Sequence, residues 1–342
     1  MTSGGMGMNI LSLGLHVLNA PLRALGHTVL GANHAADADV QLEHPVVWQR
    51  LQRVLSSAGF VPDAVLYVDN GNLPLVLDPY IIPCPTVYYS IDTYCNPWHV
   101  PYAHTFDLVC VAQKDFVPLF REDGQDARWL PLFCMQQGEG RPFAERQVPI
   151  SFVGTLEHKN NPDRKPFLEA FNSLLPLRFH CGDFRPVFTD SKIVLNQTAF
   201  SEINFRCFEA MALGAALLME KCENGMDELF SPGENILPAY PRNNAAEAAR
   251  IAAIYLKRPR ALAEIAANGR HLVITRHDAA SRARTLLEMI DGLRAAQKHC
   301  LRLGAAQNFH GHARVAFAML AAELTGEKWR PYRDFFLHRA TC

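Results

Sequence analysis

The chain has 342 residues, 49% apolar and 20% charged, which is ample material for folded cores and more length than one core usually serves, so two domains are expected. Lys and Arg number 33 against 34 Asp and Glu, and a formal net charge of −1 gives no global field to draw in nucleic acid or an anionic membrane. Nine cysteines without a Cys-x-x-Cys pair spell neither a disulfide framework nor a zinc knuckle, and nowhere do about 18 apolar residues run together; the expectation is a cytoplasmic chain with no transmembrane segment.

In chain order, Met8 to Gly14 is a short apolar run ending in glycine, and Thr28 to Gly31 is a second. His44 to Ala58 has helical spacing, with Val47, Leu51, Val54 and Leu55 on one face. Strand-like runs follow at Ala64 to Val68, Thr86 to Tyr89 and Leu108 to Val111. Apolar runs without strict alternation, separated by helices, predict a parallel sheet covered on both faces. The polar stretch from Met135 to Val148, with Gly138, Gly140 and Pro142, has linker chemistry.

A new alternation begins after it. Strands are predicted at Ile150 to Gly154, Leu177 to His180, Lys192 to Leu195 and Ala215 to Met219. Helices are predicted at Phe167 to Leu175, at Phe205 to Leu213 closed by Gly214, after Asn244 and Glu247, which are spaced as a capping box, and, beyond Pro259, at Ala261 to Val273. The expected domains are therefore residues 8–135, a linker at 136–148, residues 149–294, and a helical extension at 295–342 that folds back over the first domain. Two Rossmann-like α/β domains facing a cleft bind ligands at the carboxyl ends of their strands.

The common catalytic signatures are missing: there is no Gly-x-Gly-x-x-Gly, P-loop, Gly-x-Ser-x-Gly or His-Glu-x-x-His. The informative stretch runs from Ser201 to Ala215. On a helix, Phe205, Phe208 and Ala212 share one face and Glu209 lies at the edge of that stripe, where a partly desolvated carboxylate needs a partner. Arg206 lies on the first turn, where free N–H groups favour an anion. That end can hold a diphosphate while Glu209 accepts two hydrogen bonds from a ribose diol; an Arg206–Glu209 ion pair within the helix is the alternative. A second cluster follows the strand ending at Gly154: Thr155, Lys159, Arg164 and Lys165 combine close backbone approach with positive charge.

These pieces resemble GT-B glycosyltransferases, most closely the CgeB-like, spore-maturation-type group. The resemblance rests on ISFVGT at Ile150 to Thr155 with Arg164 downstream, SKIVLN at Ser191 to Asn196, EINFRCFEAMALGA at Glu202 to Ala215 and ELFSPGENI at Glu228 to Ile236. It implies a second domain that binds a nucleotide-diphosphate sugar, with Glu209 on the ribose and with Gly154, Thr155, Arg164, Lys165, Asn204 and Arg206 around the rest of the donor. Many retaining GT-B enzymes carry two glutamates eight positions apart; here Glu202 and Glu209 are seven apart, with Ser201 in the expected place, and the CgeB-like pattern tends to the shorter spacing. Glu202 is a candidate catalytic group on this basis.

In the first domain Asp92, just after a strand, is a candidate general base with a raised pKa, with an Asx-turn or helix cap as its structural alternative. His99 and His104 are further candidates, His16 lies after the first strand, and His310 with His312 lacks a third metal ligand of suitable spacing. The sequence thus predicts a glycosyltransferase that moves a sugar from a nucleotide-diphosphate sugar to the hydroxyl of an unidentified acceptor, without cofactor or bound metal. The alternatives are a GT-B-type epimerase or hydrolase, and a non-catalytic protein that keeps the nucleotide-sugar site and binds a partner.

Overall fold

A computed structural model describes residues 7–122, 124–135, 138, 140–157 and 160–341. By its contacts the chain forms two compact units, one of residues 131–281 and one in which residues up to 130 are joined by those from 282 onward. The division falls at Leu130 and Ser281, and not within 136–148 and at 294 as the sequence suggests. The reason is local: the Cys134 N–H already donates to the His277 carbonyl at 2.8 Å. Arg146, within the expected linker, is only 4% exposed and hydrogen-bonds four carbonyls of the second unit.

Unit 1 is built on seven strands: β1 (Asn9–Gly14), β2 (Thr28–Asn33), β3 (Val40–Gln41), β4 (Ala64–Val68), β5 (Thr86–Ser90), β6 (Leu108–Val111) and β7 (Ala127–Trp129). Their order is β3-β2-β1-β4-β5-β6-β7 and every pairing is parallel. Every residue of β4, β5 and β6 is buried, as expected for strands covered on both faces. The two shortest strands, β3 and β7, lie at the sheet edges and carry too few residues for a sequence pattern. Chain order reverses between β1 and β4, which opens a crevice at their carboxyl ends. Gly14 ends β1 with φ +81°, and a side chain there would meet the Val68 carbonyl, so glycine is required.

The C-terminal helices Lys298–Gly304, Ala306–Glu323 and Arg330–Thr341 belong to this unit. Phe317, Leu320 and Phe336 join the core formed by Tyr88, Trp98 and Tyr102. Arg302 is buried against Asp107, with Nε 2.9 Å from Oδ1, and its Nη atoms donate to the carbonyls of Pro79, Ile82 and Cys84. Every face of this guanidinium is satisfied, which makes the ion pair tolerable in a dry core.

Unit 2 carries β8 (Val148–Val153), β9 (Arg178–His180), β10 (Ser191–Asn196) and β11 (Ala216–Met219), parallel and in the order β11-β10-β8-β9. Its reversal lies between β8 and β10. The core contains Phe152, Phe171, Leu195, Leu218 and Tyr240, and the Tyr240 hydroxyl donates to the Asn196 carbonyl at 2.6 Å, fixing the end of β10. The helices Arg164–Leu174, Phe205–Ala212 and Pro259–Arg276 match the predicted ones within a few residues, and the Asn244 side chain accepts from the Glu247 N–H as a helix cap. The eight described cysteines are free, and no helix among the described residues is long and apolar enough to cross a membrane.

Candidate functional site

In unit 2 the side chains gather where β8 and β10 end and the Phe205–Ala212 helix begins. Arg206, on the first turn of that helix, donates from Nε to the Val153 carbonyl at 2.9 Å and from Nη1 to Asn196 Oδ1 at 2.6 Å. The guanidinium lies over the Phe152 ring, 4.6 Å from its centroid. A Cβ on Gly154 would stand 2.7 Å from Arg206 Nη2, and the hydrogen bonds to Val153 and Asn196 prevent the guanidinium from giving way. Glycine at the end of β8 therefore makes room for this cation. Arg164 approaches the same ring from the start of its own helix, 5.7 Å from the centroid, and donates to Gln197 Oε1 at 3.2 Å and to the Thr155 carbonyl at 3.0 Å. Burial and the nearby charge of Arg164 lower the Arg206 pKa to about 10.

Glu209 sits one turn further along the helix. It is 6% exposed, and its Oε1 has no hydrogen-bond partner. Burial pushes its carboxyl up to about pH 7, against the pull of Arg206. The intrahelical ion pair is not formed, because the guanidinium turns instead to Val153 and Asn196. A buried carboxylate oxygen left without a donor is costly unless a ligand supplies one. Two cations at strand ends and an unsatisfied acid one turn away form a site with charge for an anion and an acceptor for hydroxyls.

The remaining donor-side residues divide. Asn204 caps the helix in extended conformation without a side-chain capping bond, and its Oδ1 lies 3.7 Å from Cys207 Sγ. Glu202 accepts from the backbone N–H groups of Phe200 at 2.7 Å and Ala199 at 3.3 Å, so its carboxylate closes the loop. Thr155 is exposed and contributes its carbonyl to Arg164. Lys165 points outward into an ion pair with Glu157 at 2.5 Å. His158 and Lys159 lie outside the described residues.

The supporting network escapes sequence reasoning. Gln197 exchanges hydrogen bonds with Asn161, while Glu220, at the end of β11, accepts from the Thr198 N–H at 2.6 Å and the Asn243 N–H at 2.9 Å. These side chains hold the loop that delivers Arg206. Gln197 and Glu220 each stand one residue beyond a strand, and that position is the signal the sequence carries for them.

In unit 1 two of the predicted residues, Asp92 and His99, meet at the carboxyl ends of β4 and β5, around an aspartate not singled out in the sequence. Asp69 is 4% exposed; Oδ1 accepts from the Gly71 N–H at 2.8 Å and Oδ2 from the Asp92 N–H at 3.0 Å. Asp92 is half-buried, with Oδ1 accepting from the Tyr94 hydroxyl at 2.8 Å and its carbonyl from Asn96. His99 is fully buried, with Nδ1 2.9 Å from Ser90 Oγ and Nε2 3.8 Å from Asp69, enclosed by Tyr88 and Trp98. Burial lowers its pKa against the pull of Asp69. A side chain so enclosed positions the loop and does not reach an acceptor. His104 stacks on His312 with centroids 4.3 Å apart, and His310 lies beside Tyr80. His16 follows β1, its Nδ1 3.4 Å from Asn33 Nδ2 and its Nε2 buried without a partner among the described residues.

With this geometry established, comparison with solved structures shows the fold. The chain is similar to Anabaena HepE, solved in complex with UDP and glucose, at 16% identity and a TM-score of 0.59, covering 83% of this chain and 99% of that one. It is similar to a glycosyltransferase from Rickettsia africae at 13% identity and 0.60, covering 84% and 98%. It is also similar to sucrose-phosphate synthase from Thermosynechococcus elongatus at 12% identity and 0.62, covering 84% and 100%. The architecture is thus GT-B, two parallel-sheet α/β domains with a helical C-terminus. Residues 164–288 match the model of the glycosyl transferase-like family, a stretch that contains Arg164, Glu202, Arg206 and Glu209. No curated protein matches the chain.

Proposed function

We infer that the chain is a glycosyltransferase that takes its sugar from a nucleotide-diphosphate donor. The observation that carries this reading is the buried, unpartnered Glu209 oxygen one turn from Arg206, within the stretch that matches the glycosyl transferase-like model. Glu209 accepts from the two ribose hydroxyls. Arg206, Arg164 and the backbone at Gly154 hold the diphosphate, whose charge grows as the sugar leaves; cations already fixed in place stabilise that charge without reorganisation. Glucose and UDP bound in Anabaena HepE support a uridine nucleotide and a hexose as the first donors to try.

On the acceptor side, Asp92 is the proposed general base, since its carboxylate is only half-buried while His99 is enclosed. Glu202 is assigned to loop closure rather than chemistry, because both of its oxygens serve backbone N–H groups. The CgeB-like group remains the proposed subfamily, and the reaction is proposed to need neither cofactor nor metal. Incubation with a panel of nucleotide sugars and candidate acceptors in EDTA, followed by NMR of the products, tests the reading. Transfer that persists in EDTA and falls at least about 100-fold in Asp92→Asn is expected for a positioned base. An epimerised or hydrolysed donor as sole product assigns one of the alternative reactions, and strict dependence on added divalent metal removes the metal-independent step.

A further inference from the structure

A second cluster of arginines lies in unit 2 at the opposite ends of the strands. Arg146 precedes β8, Asp190 precedes β10 and Gly214 precedes β11, whereas the site above follows the strands. Nε of Arg146 donates to the Arg141 carbonyl at 3.0 Å, Nη1 to the carbonyls of Phe188 at 3.3 Å and Ser191 at 2.7 Å, and Nη2 to that of Leu213 at 2.7 Å. All four partners are neutral. Asp190 is turned to Arg141, 3.2 Å from its Nη1. Arg270, on the Pro259–Arg276 helix, makes one long hydrogen bond, 3.4 Å to the Gly138 carbonyl, and pairs with no carboxylate among the described residues. Three arginines thus line one cavity of about 320 Å³ with Gly140, Phe143, Gly214 and Ala266: Arg141 is paired with Asp190, whereas Arg146 and Arg270 form no ion pair with a carboxylate among the described residues.

The cavity is shaped around this charge. A Cβ at Gly140 would stand 2.3 Å from Arg146 Nη2 and one at Gly214 2.8 Å from it, so only glycine leaves the guanidinium in place. Burial lowers Arg146 to about 10 against the pull of nearby Asp190, and the charge of Arg270 adds a smaller repulsion. Bringing two like charges together in a partly dry pocket is unfavourable unless an anion joins them. We propose that this cavity binds a small phosphate-class oxyanion, either inorganic phosphate or the phosphate of a monoester, between Arg146 and Arg270. The fork of Arg270 suits such oxygens, Arg146 adds the one Nη2 N–H that its four carbonyls leave over, and the volume is at the lower end of ligand pockets, about 300–1,000 Å³. The Phe205–Ala212 helix separates this cavity from the donor site by roughly 12 Å, at 1.5 Å per residue. The proposal does not depend on the glycosyltransferase reading.

Calorimetric titration of the full chain with inorganic phosphate, and in parallel with a sugar phosphate, tests this. Arg270→Gln removes the weakly bonded guanidinium and leaves the clasp of Arg146 on its carbonyls intact; it should weaken phosphate binding at least about tenfold while nucleotide binding stays unchanged. Ala266→Leu, which fills the cavity, should have the same effect. Arg206→Gln controls for phosphate occupying the diphosphate site and should leave this binding intact. Tighter binding of the sugar phosphate identifies a monoester as the ligand, and equal binding identifies the free ion. Absence of wild-type binding at millimolar concentrations of both probes, or binding retained in Arg270→Gln, overturns the proposal.

Discussion

Both units place aspartate or glutamate next to hydrogen-bonding side chains at the carboxyl ends of a parallel sheet, but they use them differently. In unit 1, Asp69 satisfies Gly71 and the Asp92 N–H, Asp92 takes the Tyr94 hydroxyl, and His99 is closed in against Ser90 and Asp69. In unit 2, Arg206 is pinned by neutral acceptors, and Glu209 is buried with an oxygen unmet. Residue type alone does not separate a scaffold from a binding site. What separates them is whether hydrogen-bonding capacity is used up inside the protein.

That contrast can be sharpened by substitution. The largest expected effect is on stability: the Glu209 carboxyl is raised to about 7 in the fold, from an ordinary 4.5. The folded state therefore holds a proton that the unfolded chain gives up between those values, and stability falls as pH rises from about 4.5 to 7. Glu209→Gln should recover on the order of 3 kcal/mol at pH 8 and almost nothing near pH 4.5 in denaturant unfolding. A pH-independent difference would contradict the burial. Next in size, Asp69→Ala should destabilise the chain by about 1–3 kcal/mol, since it removes a buried carboxylate that holds the Gly71 and Asp92 N–H groups, and should not change donor affinity. Weaker donor binding with unchanged stability would reverse the roles assigned to the two units. The smallest effect is expected of Lys165→Ala: its ion pair with Glu157 is exposed and screened by solvent, so donor affinity and melting temperature should barely move.

Much of this arrangement was legible in the sequence. The longer strands and the helices that carry Arg164, Arg206 and Glu209 show as apolar periodicity, because burial on two faces or one stripe leaves that mark. The strands β3 and β7 did not, being two and three residues long at sheet edges. The C-terminal helices read as helical, but Arg302, which anchors them to Asp107, gave no signal because the pair is 195 residues apart in the chain. Asp69, Gln197 and Glu220 were missed for a related reason: their role is to hold loops through bonds to backbone N–H groups and other side chains, which no local pattern encodes. His99 and Lys165 show the converse. Their residue types suit catalysis and phosphate binding, but His99 is enclosed and Lys165 faces solvent beside Glu157.

The central claim is that the unmet oxygen of Glu209 belongs to a nucleotide ribose. Calorimetric titration of the wild type and Glu209→Ala with nucleoside diphosphates and nucleotide-diphosphate sugars at pH 8, where the carboxyl is ionised, tests it directly. The wild type should bind at least one of them, with a loss of roughly 10- to 100-fold in Glu209→Ala, the equivalent of ~1.5–3 kcal/mol for hydrogen bonds to a charged acceptor. Equal affinity of the two proteins for the same donor would contradict the account.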